Sequence, residues 1–361
     1  MQVLRLLTLI SVVATFGICK PAAADPISQP SAKPGEMFPA AMAEPVASTI
    51  YTQPTFIDGF NVGGYSSAGF NIHPGGRTDA ALNEVSLILR WEGDSRFRFF
   101  GEFELENPVT WDSRDKFGDR GSKFDLERLY LDYNLSDKVN VRAGRFLTPA
   151  GRWNLLHAAP LVWTSTRPLA TSRLFPISVN GAMLYGAAPL GDKAFEYTVF
   201  AEALQDQDHD SDEIQFRDTR GARFVLSGKV NLGLSLLEFT EKTPISERFR
   251  MVGLDMLIKH NGWELSGEAF QRFYSNNDGG GNGAYIQGVA PIGDHGPGVG
   301  WFAIARLEGF KRPAEGSADR WLIGAAWRMT PNRILKFEYA GGDEERPDSP
   351  KGFLSSFAIL F

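Results

Sequence analysis

Four arginines and one histidine occupy a stretch that holds no carboxylate. Between Lys138 and Gly191 there is no Asp or Glu, and the run from Gly144 to Pro176 carries Arg145, Arg152, His157, Arg167 and Arg173. A guanidinium is always charged and presents a planar fork of donors suited to phosphate or carboxylate. Several of them in a narrow passage with low-dielectric walls raise the local anion concentration. The other outcome is pairing: the arginines bind an acidic wall, with Glu102, Glu104 and Glu106 as candidates, and pin the run in place. Trp153, Leu155, Leu156, Leu161, Val162 and Trp163 give the run an apolar side that would pack against its surroundings.

The surroundings must be built from strands. Val85, Leu87, Leu89 and Trp91 alternate with Glu84, Ser86, Arg90 and Glu92. Phe97, Phe99, Phe103 and Leu105 alternate with Arg98, Glu102, Glu104 and Glu106. The same period of two recurs at Leu129–Leu135, Phe195–Val199, Trp263–Leu265 and Leu335–Tyr339. Strict alternation marks a strand with one apolar and one polar face. About sixteen such segments are expected, an even number as in single-chain bacterial barrels. They fall near 57–64, 84–92, 97–106, 127–135, 139–146, 179–188, 195–203, 220–227, 231–240, 250–259, 263–274, 283–290, 299–309, 320–328, 334–341 and 353–361. Their lengths cluster near the ~9–11 residues with which a tilted strand crosses a bilayer.

The connections alternate in length. Gly93–Arg96, Ser136–Lys138, Pro189–Ala194, Gly228–Lys229, His260–Gly262 and Met329–Asn332 are short. Tyr65–Asn83, Asn107–Leu126, Leu147–Ser178 and Leu204–Thr219 are long, and loops near 241–249, 275–282, 310–319 and 342–352 complete that side. Short turns at one end and long loops at the other are the pattern of a transmembrane β-barrel. Trp91, Phe97, Tyr133, Phe195, Tyr197, Trp263, Trp301, Trp327 and Phe361 fall near the short-turn ends. Trp321, Tyr339, Phe273 and Phe353 fall near the other, so two aromatic girdles are expected at the membrane interfaces.

The chain is long enough for such a barrel: 361 residues, 43% apolar, 12% aromatic, formal charge −6. No transmembrane helix is expected, because no run of ~18 apolar residues follows the first twenty positions. Residues 1–24 read as a secretory signal peptide: Arg5, an apolar run from Leu6 to Ile18, then Ala22-Ala23-Ala24. Cys19 suggests a lipid-anchored N-terminus instead, but Ile18 stands where a small residue is wanted. Cleavage after Ala24 removes Arg5, Lys20 and Cys19, the only cysteine. That leaves 35 basic against 43 acidic residues, a charge of −8, and no internal disulfide. Residues 25–55 are rich in Pro, Ala and Ser and read as a flexible periplasmic lead-in. The barrel is expected over 56–361. No basic tail or basic helix face points to nucleic acid.

If the apolar faces meet lipid, the polar faces line a lumen. Arg90, Arg98, Arg128, Arg142, Arg223, Arg272, Arg306 and Lys336 would face it, with Glu102, Glu104, Glu106, Asp132, Glu202, Asp255, Glu268, Glu308 and Glu338. A ~16-stranded barrel with charged walls leaves room for water. These charges would otherwise simply form ion pairs on a solvated face.

The run Gly144-Arg145-Phe146, Pro149, Gly151, Trp153-Asn154, His157 and Arg167-Pro168-Leu169 resembles sequences of the phosphate-selective porin (OprO/OprP-like) superfamily. The terminal Phe357–Phe361 strand resembles the last strand of bacterial outer-membrane proteins, whose final aromatic the assembly machinery reads. The resemblance implies an outer-membrane channel, trimeric or monomeric, embedded in lipid and lipopolysaccharide. It implies that the third long loop folds inward and narrows the lumen. Arg145, Arg152, His157, Arg167 and Arg173 would then form the constriction, with small anions as solutes. The family's dense Arg and Lys ladders along the pore are not seen in this sequence, and a mild anion preference at the constriction, with phosphate among the candidate solutes, is the expectation.

Other chemistry is thinly represented. Asp206–Glu213 sets oxygen ligands at alternate positions, as a Ca²⁺ loop does, but lacks the Gly and terminal Glu of a standard one. It reads better as a solvated loop. His73, His157, His209, His260 and His295 lie on separate connections without metal-ligand spacing, so no metal and no cofactor is expected. Gly279–Gly283 reads as a flexible loop between strands, since no helix follows to cradle phosphate. No G-x-S-x-G elbow occurs, so an enzyme is not expected. The alternatives are a barrel lipase or protease, needing a nucleophile and His that meet at the rim, and a secreted soluble β protein.

Overall fold

The computed structural model describes residues 59–361 except 94, 115, 120, 206–213, 243–245, 276–278, 294–297, 314 and 344–349. The expected signal peptide and lead-in, and the acidic run 206–213, lie outside the described residues.

The wall begins with β1 (Phe60–Ile72), β2 (Thr78–Glu92) and β3 (Phe97–Asp112). A three-residue strand, β4 (Lys116–Gly118), pairs with the end of β3. The wall continues with β5 (Lys123–Ser136), β6 (Val139–Leu147), β7 (Ser178–Leu190), β8 (Lys193–Leu204) and β9 (Gln215–Ser227). Then come β10 (Val230–Lys242), β11 (Glu247–His260), β12 (Trp263–Tyr274) and β13 (Gly279–Ile292). The last are β14 (Gly300–Arg312), β15 (Gly316–Thr330), β16 (Arg333–Gly342) and β17 (Gly352–Leu360). Each wall strand pairs antiparallel with its neighbours, and β1 pairs with both β2 and β17. The result is a closed barrel of 16 wall strands. Closure leaves no free edge, so every wall strand satisfies its backbone inside the sheet. Gly64 and Phe361 exchange both backbone hydrogen bonds at 2.8 Å across the seam.

The polarity of the wall is inverted relative to a soluble protein. Leu254 and Ile323 are 59% and 56% exposed on the outer face, whereas Glu102 and Lys336 are fully buried on the inner one. Lipid takes up such an outer face; water would leave it as a continuous apolar patch. The aromatic ends pair across strands. Trp301 stacks on Trp327 at 5.6 Å and Phe97 lies 4.7 Å from Tyr133 near the short turns. Trp321 lies 5.9 Å from Tyr339 at the opposite end.

Two expectations are corrected. β1 runs on to Ile72 and β2 starts at Thr78, so the long loop expected over Tyr65–Asn83 is a short connection, His73–Arg77. From Gly63 to Gly69 the pairing residues of β1 are mostly small or polar, so the apolar alternation is interrupted between Val62 and Phe70. β1 and β2 are also tied by Asn71 to Asp79 at 2.8 Å and Ser67 to Glu84 at 2.9 Å. Gly279–Gly283 is not a loop but the first part of β13. A Cβ on Gly283 would lie 2.9 Å from the Ala170 Cβ, so the bare backbone gives the Gly144–Pro176 region room to approach.

Candidate functional site

The connection between β6 and β7 is the longest in the described chain and carries two four-residue helices, α1 (Trp153–Leu156) and α2 (Leu169–Ser172). Its neck is tied by Thr148, whose N–H donates to the Ile177 carbonyl at 2.8 Å. The buried Asn154 amide spans the same neck, donating to the carbonyls of Thr148 and Ile177 at 2.9 Å each. Gly151, at φ +63°, turns the chain here; a Cβ would fall 1.9 Å from Glu268 Oε2.

The segment is held by charges of distant wall strands acting on its backbone. Trp153 N–H donates to Glu268 of β12 at 2.6 Å, Leu169 N–H to Glu308 of β14 at 2.6 Å, and Ser165 N–H to Glu338 of β16. In the opposite sense, Lys336 Nζ donates to the carbonyls of Ala159 and Thr164 at 2.8 and 3.0 Å. Arg306 donates to the Thr166 carbonyl at 2.9 Å, and Arg328 to that of Pro160 at 3.1 Å. Hydrogen bonds with one ionised partner are roughly twice as strong as neutral ones. The apolar side packs as expected. Trp163 lies 4.7 Å from Phe302, Trp153 6.4 Å from Tyr285, and Phe175 5.1 Å from Phe270.

The five sequence-predicted residues separate. Arg145, His157, Arg167 and Arg173 line one cavity of about 710 Å³; Arg152 is not among its lining residues. Arg152 precedes α1. Arg167 donates to Asn154 Oδ1 and, at 2.8 Å, to the Thr171 carbonyl, bracing the segment from within. Burial lowers its pKa to about 10. Arg173 forms an ion pair with Glu315 at 2.8 Å. Arg145 follows the kink at Gly144, φ +132°, and reaches Asn180 Oδ1 at 3.5 Å.

His157 links the segment to the acidic wall. Its Nε2 lies 2.9 Å from Glu127 Oε1, and its Nδ1 3.1 Å from the Asn154 carbonyl oxygen. Burial alone would lower the imidazole pKa. The Glu127 hydrogen bond and charge outweigh it, so His157 is held above its ordinary value of 6.5. Glu127 itself escaped the sequence reading. The register shifts where β3 meets β5, between Glu102 and Phe103, and Glu127 and Arg128 are both drawn inward. The broken alternation in Asp125-Leu126-Glu127-Arg128 was the available signal.

The wall side of the cavity includes Glu84, Glu104, Glu106, Asp125 and Glu127, along with the cation Lys336. Of the expected arginine partners, Glu102 pairs with Arg128 and accepts from Ser86 at 3.1 Å, and Glu104 accepts from the Tyr65 hydroxyl at 3.0 Å. Other lumen candidates form ion pairs on the inner face, most of them between strands. Arg142 binds Asp132 through two bonds at 2.8 and 3.0 Å and lies 3.5 Å over the Tyr130 ring. Arg90 and Arg98 share Glu92 near a short turn. Arg223 pairs with Asp255 at 2.7 Å, and Arg272 and Arg312 share Glu241 at 2.7 and 2.6 Å.

No family model matches the chain. An uncharacterized protein of Aquifex aeolicus (strain VF5) is 30% identical over 150 residues, which is 40% of this chain and 33% of that protein. The chain thus spans about a third of the length of the curated relative it matches. Solved structures align over most of the barrel. They include OmpT of Vibrio cholerae in its trimer form, with TM-score 0.56, 10% identity, 84% of this chain and 99% of that one. The anion-selective porin from Comamonas acidovorans has TM-score 0.53 and 13% identity, covering 83% and 97%. The outer membrane channel DcaP of Acinetobacter baumannii has TM-score 0.55 and 14% identity, covering 84% and 97%. A closed barrel of this size with such neighbours points to the outer membrane. In fold, the barrel is similar to those of outer-membrane porins.

Proposed function

We propose that the protein is a passive, water-filled channel for small hydrophilic solutes, narrowed by the 148–177 segment and mildly selective for anions, phosphate among them. The observation that carries this reading is the cavity between that segment and the acidic wall. It is open space lined by charge, where a sealed core would be apolar. Arg145, Arg167 and Arg173 supply the anion-attracting face. His157 offsets part of the opposing charge through its ion pair with Glu127. Charged rings at a constriction set selectivity in channels generally.

The same reading takes residues 1–24 as a cleaved export signal, 25–55 as a periplasmic lead-in and Phe361 as the handle for the assembly machinery. It takes the assembly to be a homotrimer, supported by the trimeric OmpT with the same fold. N-terminal sequencing of the membrane fraction should begin at Asp25.

Planar-bilayer conductance in a salt gradient tests the channel. Stepwise conductance with a reversal potential of anionic sign is expected. A cation-signed reversal would remove the anion preference, and a silent, correctly folded barrel would remove the channel.

A further inference from the structure

The outer face carries one feature that a lipid-facing wall does not need. On β9, β10 and β11 three arginines converge on a single carboxylate. Arg220 and Arg248 each bond Glu238 Oε1 through a terminal nitrogen, and Arg250 Nε lies 3.4 Å from Glu238 Oε2. The arginines are between 50% and 59% exposed, and Glu238 is 19% exposed. The register sets Arg220, Glu238 and Arg250 side by side on adjacent strands.

All four lie on the outward side. The next outward residues along the strands are Leu236 and Val252, each 40% exposed, and then Leu254 at 59%. The opposite parity, Leu237, Phe239, Phe249 and Met251, is buried within the barrel. The cluster therefore stands directly above the apolar belt, at the end of the strands that leads to the longer loops. Its height follows from strand geometry. Ile258 closes the outward apolar series of β11 at its short-turn end. From there to Arg248 a tilted strand climbs roughly 25 Å, the height of an apolar band. Long loops face outward from the cell in barrels of this kind, so the cluster meets the headgroup layer of the outer leaflet.

Three guanidiniums against one carboxylate leave an excess of positive charge, already gathered and oriented by Glu238. Terminal guanidinium nitrogens are suited to phosphate oxygens. Below them, the apolar belt accepts acyl chains. We propose that Arg220, Arg248 and Arg250 form a binding site for the phosphate of an anionic outer-leaflet lipid, with Glu238 positioning the arginines and limiting affinity. This rests on the reading of the barrel as an outer-membrane protein.

The test uses the full-length barrel in neutral detergent micelles, titrated with bisphosphorylated lipid A and followed by native mass spectrometry. Retention of at least one lipid by the wild type is expected. Arg220→Ala/Arg248→Ala/Arg250→Ala should weaken retention about tenfold or more. Glu238→Gln should strengthen it, a direction that simple damage to the fold would not produce. Dephosphorylated lipid A should bind no better to the wild type than to the triple variant. Inorganic phosphate, if it displaces the lipid at equal concentration, would show a free-anion site and overturn the lipid assignment. Equal retention by wild type and the triple variant would overturn the site itself. If the triple variant does not fold, the Glu238→Gln result decides: unchanged or weaker retention overturns the proposal. Conductance measured on the same preparations separates this outcome from failure of the channel reading.

Discussion

His157 Nε2 stands 2.9 Å from Glu127 Oε1, joining the β6–β7 segment to the wall strand β5. Through this ion pair a candidate residue of the segment reaches the acidic side of the cavity. Both side chains are largely shielded from water, at 16% and 14% exposure. Removing one member of such a pair leaves the other charge buried and uncompensated, which costs far more than losing a surface contact.

The pair should make the barrel's stability depend on pH with a defined sign. The folded state holds the His157 pKa above 6.5. The folded state therefore binds its proton more tightly than the unfolded chain. The stabilisation is fully present below 6.5 and is lost as pH rises through the raised value. His157→Gln should cost about 2 kcal/mol at pH 6 and much less at pH 9. Denaturant unfolding of both proteins in detergent at the two pH values measures this; equal losses at both would exclude a charged pair.

The arginines should not contribute equally to selectivity. Arg145, Arg167 and Arg173 line the cavity and Arg152 does not. Arg145→Ala and Arg173→Ala should each shift the reversal potential toward cations, by a few-fold in permeability ratio when combined. Arg152→Ala should leave it within error. Arg167→Ala removes the bonds to Asn154 and Thr171 as well, so its current should become noisier in addition to shifting. A selectivity carried by Arg152 alone would reverse this assignment.

The wall was legible because lipid on one side and polar groups on the other impose a period of two on every strand. That pattern fails where one constraint is relaxed. The middle of β1 and the start of β2 are mostly small or polar residues, and there the pairing is supported by hydrogen bonds such as Ser67 to Glu84, which periodicity does not register. Glu127 was hidden by the irregular register beside β3. The 148–177 segment was recognised by its charge and length, yet its anchoring was not. Its arginines suggested side-chain pairing with the wall, and the added finding is that Glu268, Glu308, Glu338 and Lys336 hold its backbone groups. Backbone donors are the same at every residue, so no residue type could have announced them.

Gly283 should be intolerant of a side chain although it lies in a strand. A Cβ there would approach Ala170 Cβ to 2.9 Å and Leu174 Cδ1 to 3.1 Å. Gly283→Val should push α2 from β13, at about 1–3 kcal/mol for overpacking. Gly288 has open space around its Cβ position on the same strand, so Gly288→Val serves as the control. A thermal midpoint lowered by Gly283→Val but not by Gly288→Val is expected.

The backbone anchors give the segment a protease signature. Arg152 and Arg173 are trypsin sites by residue type (Arg167 is not, since Pro168 follows it), but cleavage needs an extended backbone that a bonded segment does not offer. The native barrel should therefore resist trypsin over 148–177. Glu268→Gln keeps the size of the side chain yet weakens the bond from Trp153 N–H, because a neutral amide accepts less strongly than a carboxylate. Glu308→Gln and Glu338→Gln act in the same way on Leu169 and Ser165. The triple variant should open the segment and admit cleavage after Arg152 and Arg173, with the barrel's heat-modifiable gel mobility retained. Single variants should be cut more slowly, since the remaining anchors and the Lys336 bonds still hold the chain. Identical resistance in wild type and triple variant would mean that packing around Trp153, Trp163 and Phe175 holds the segment without the carboxylates.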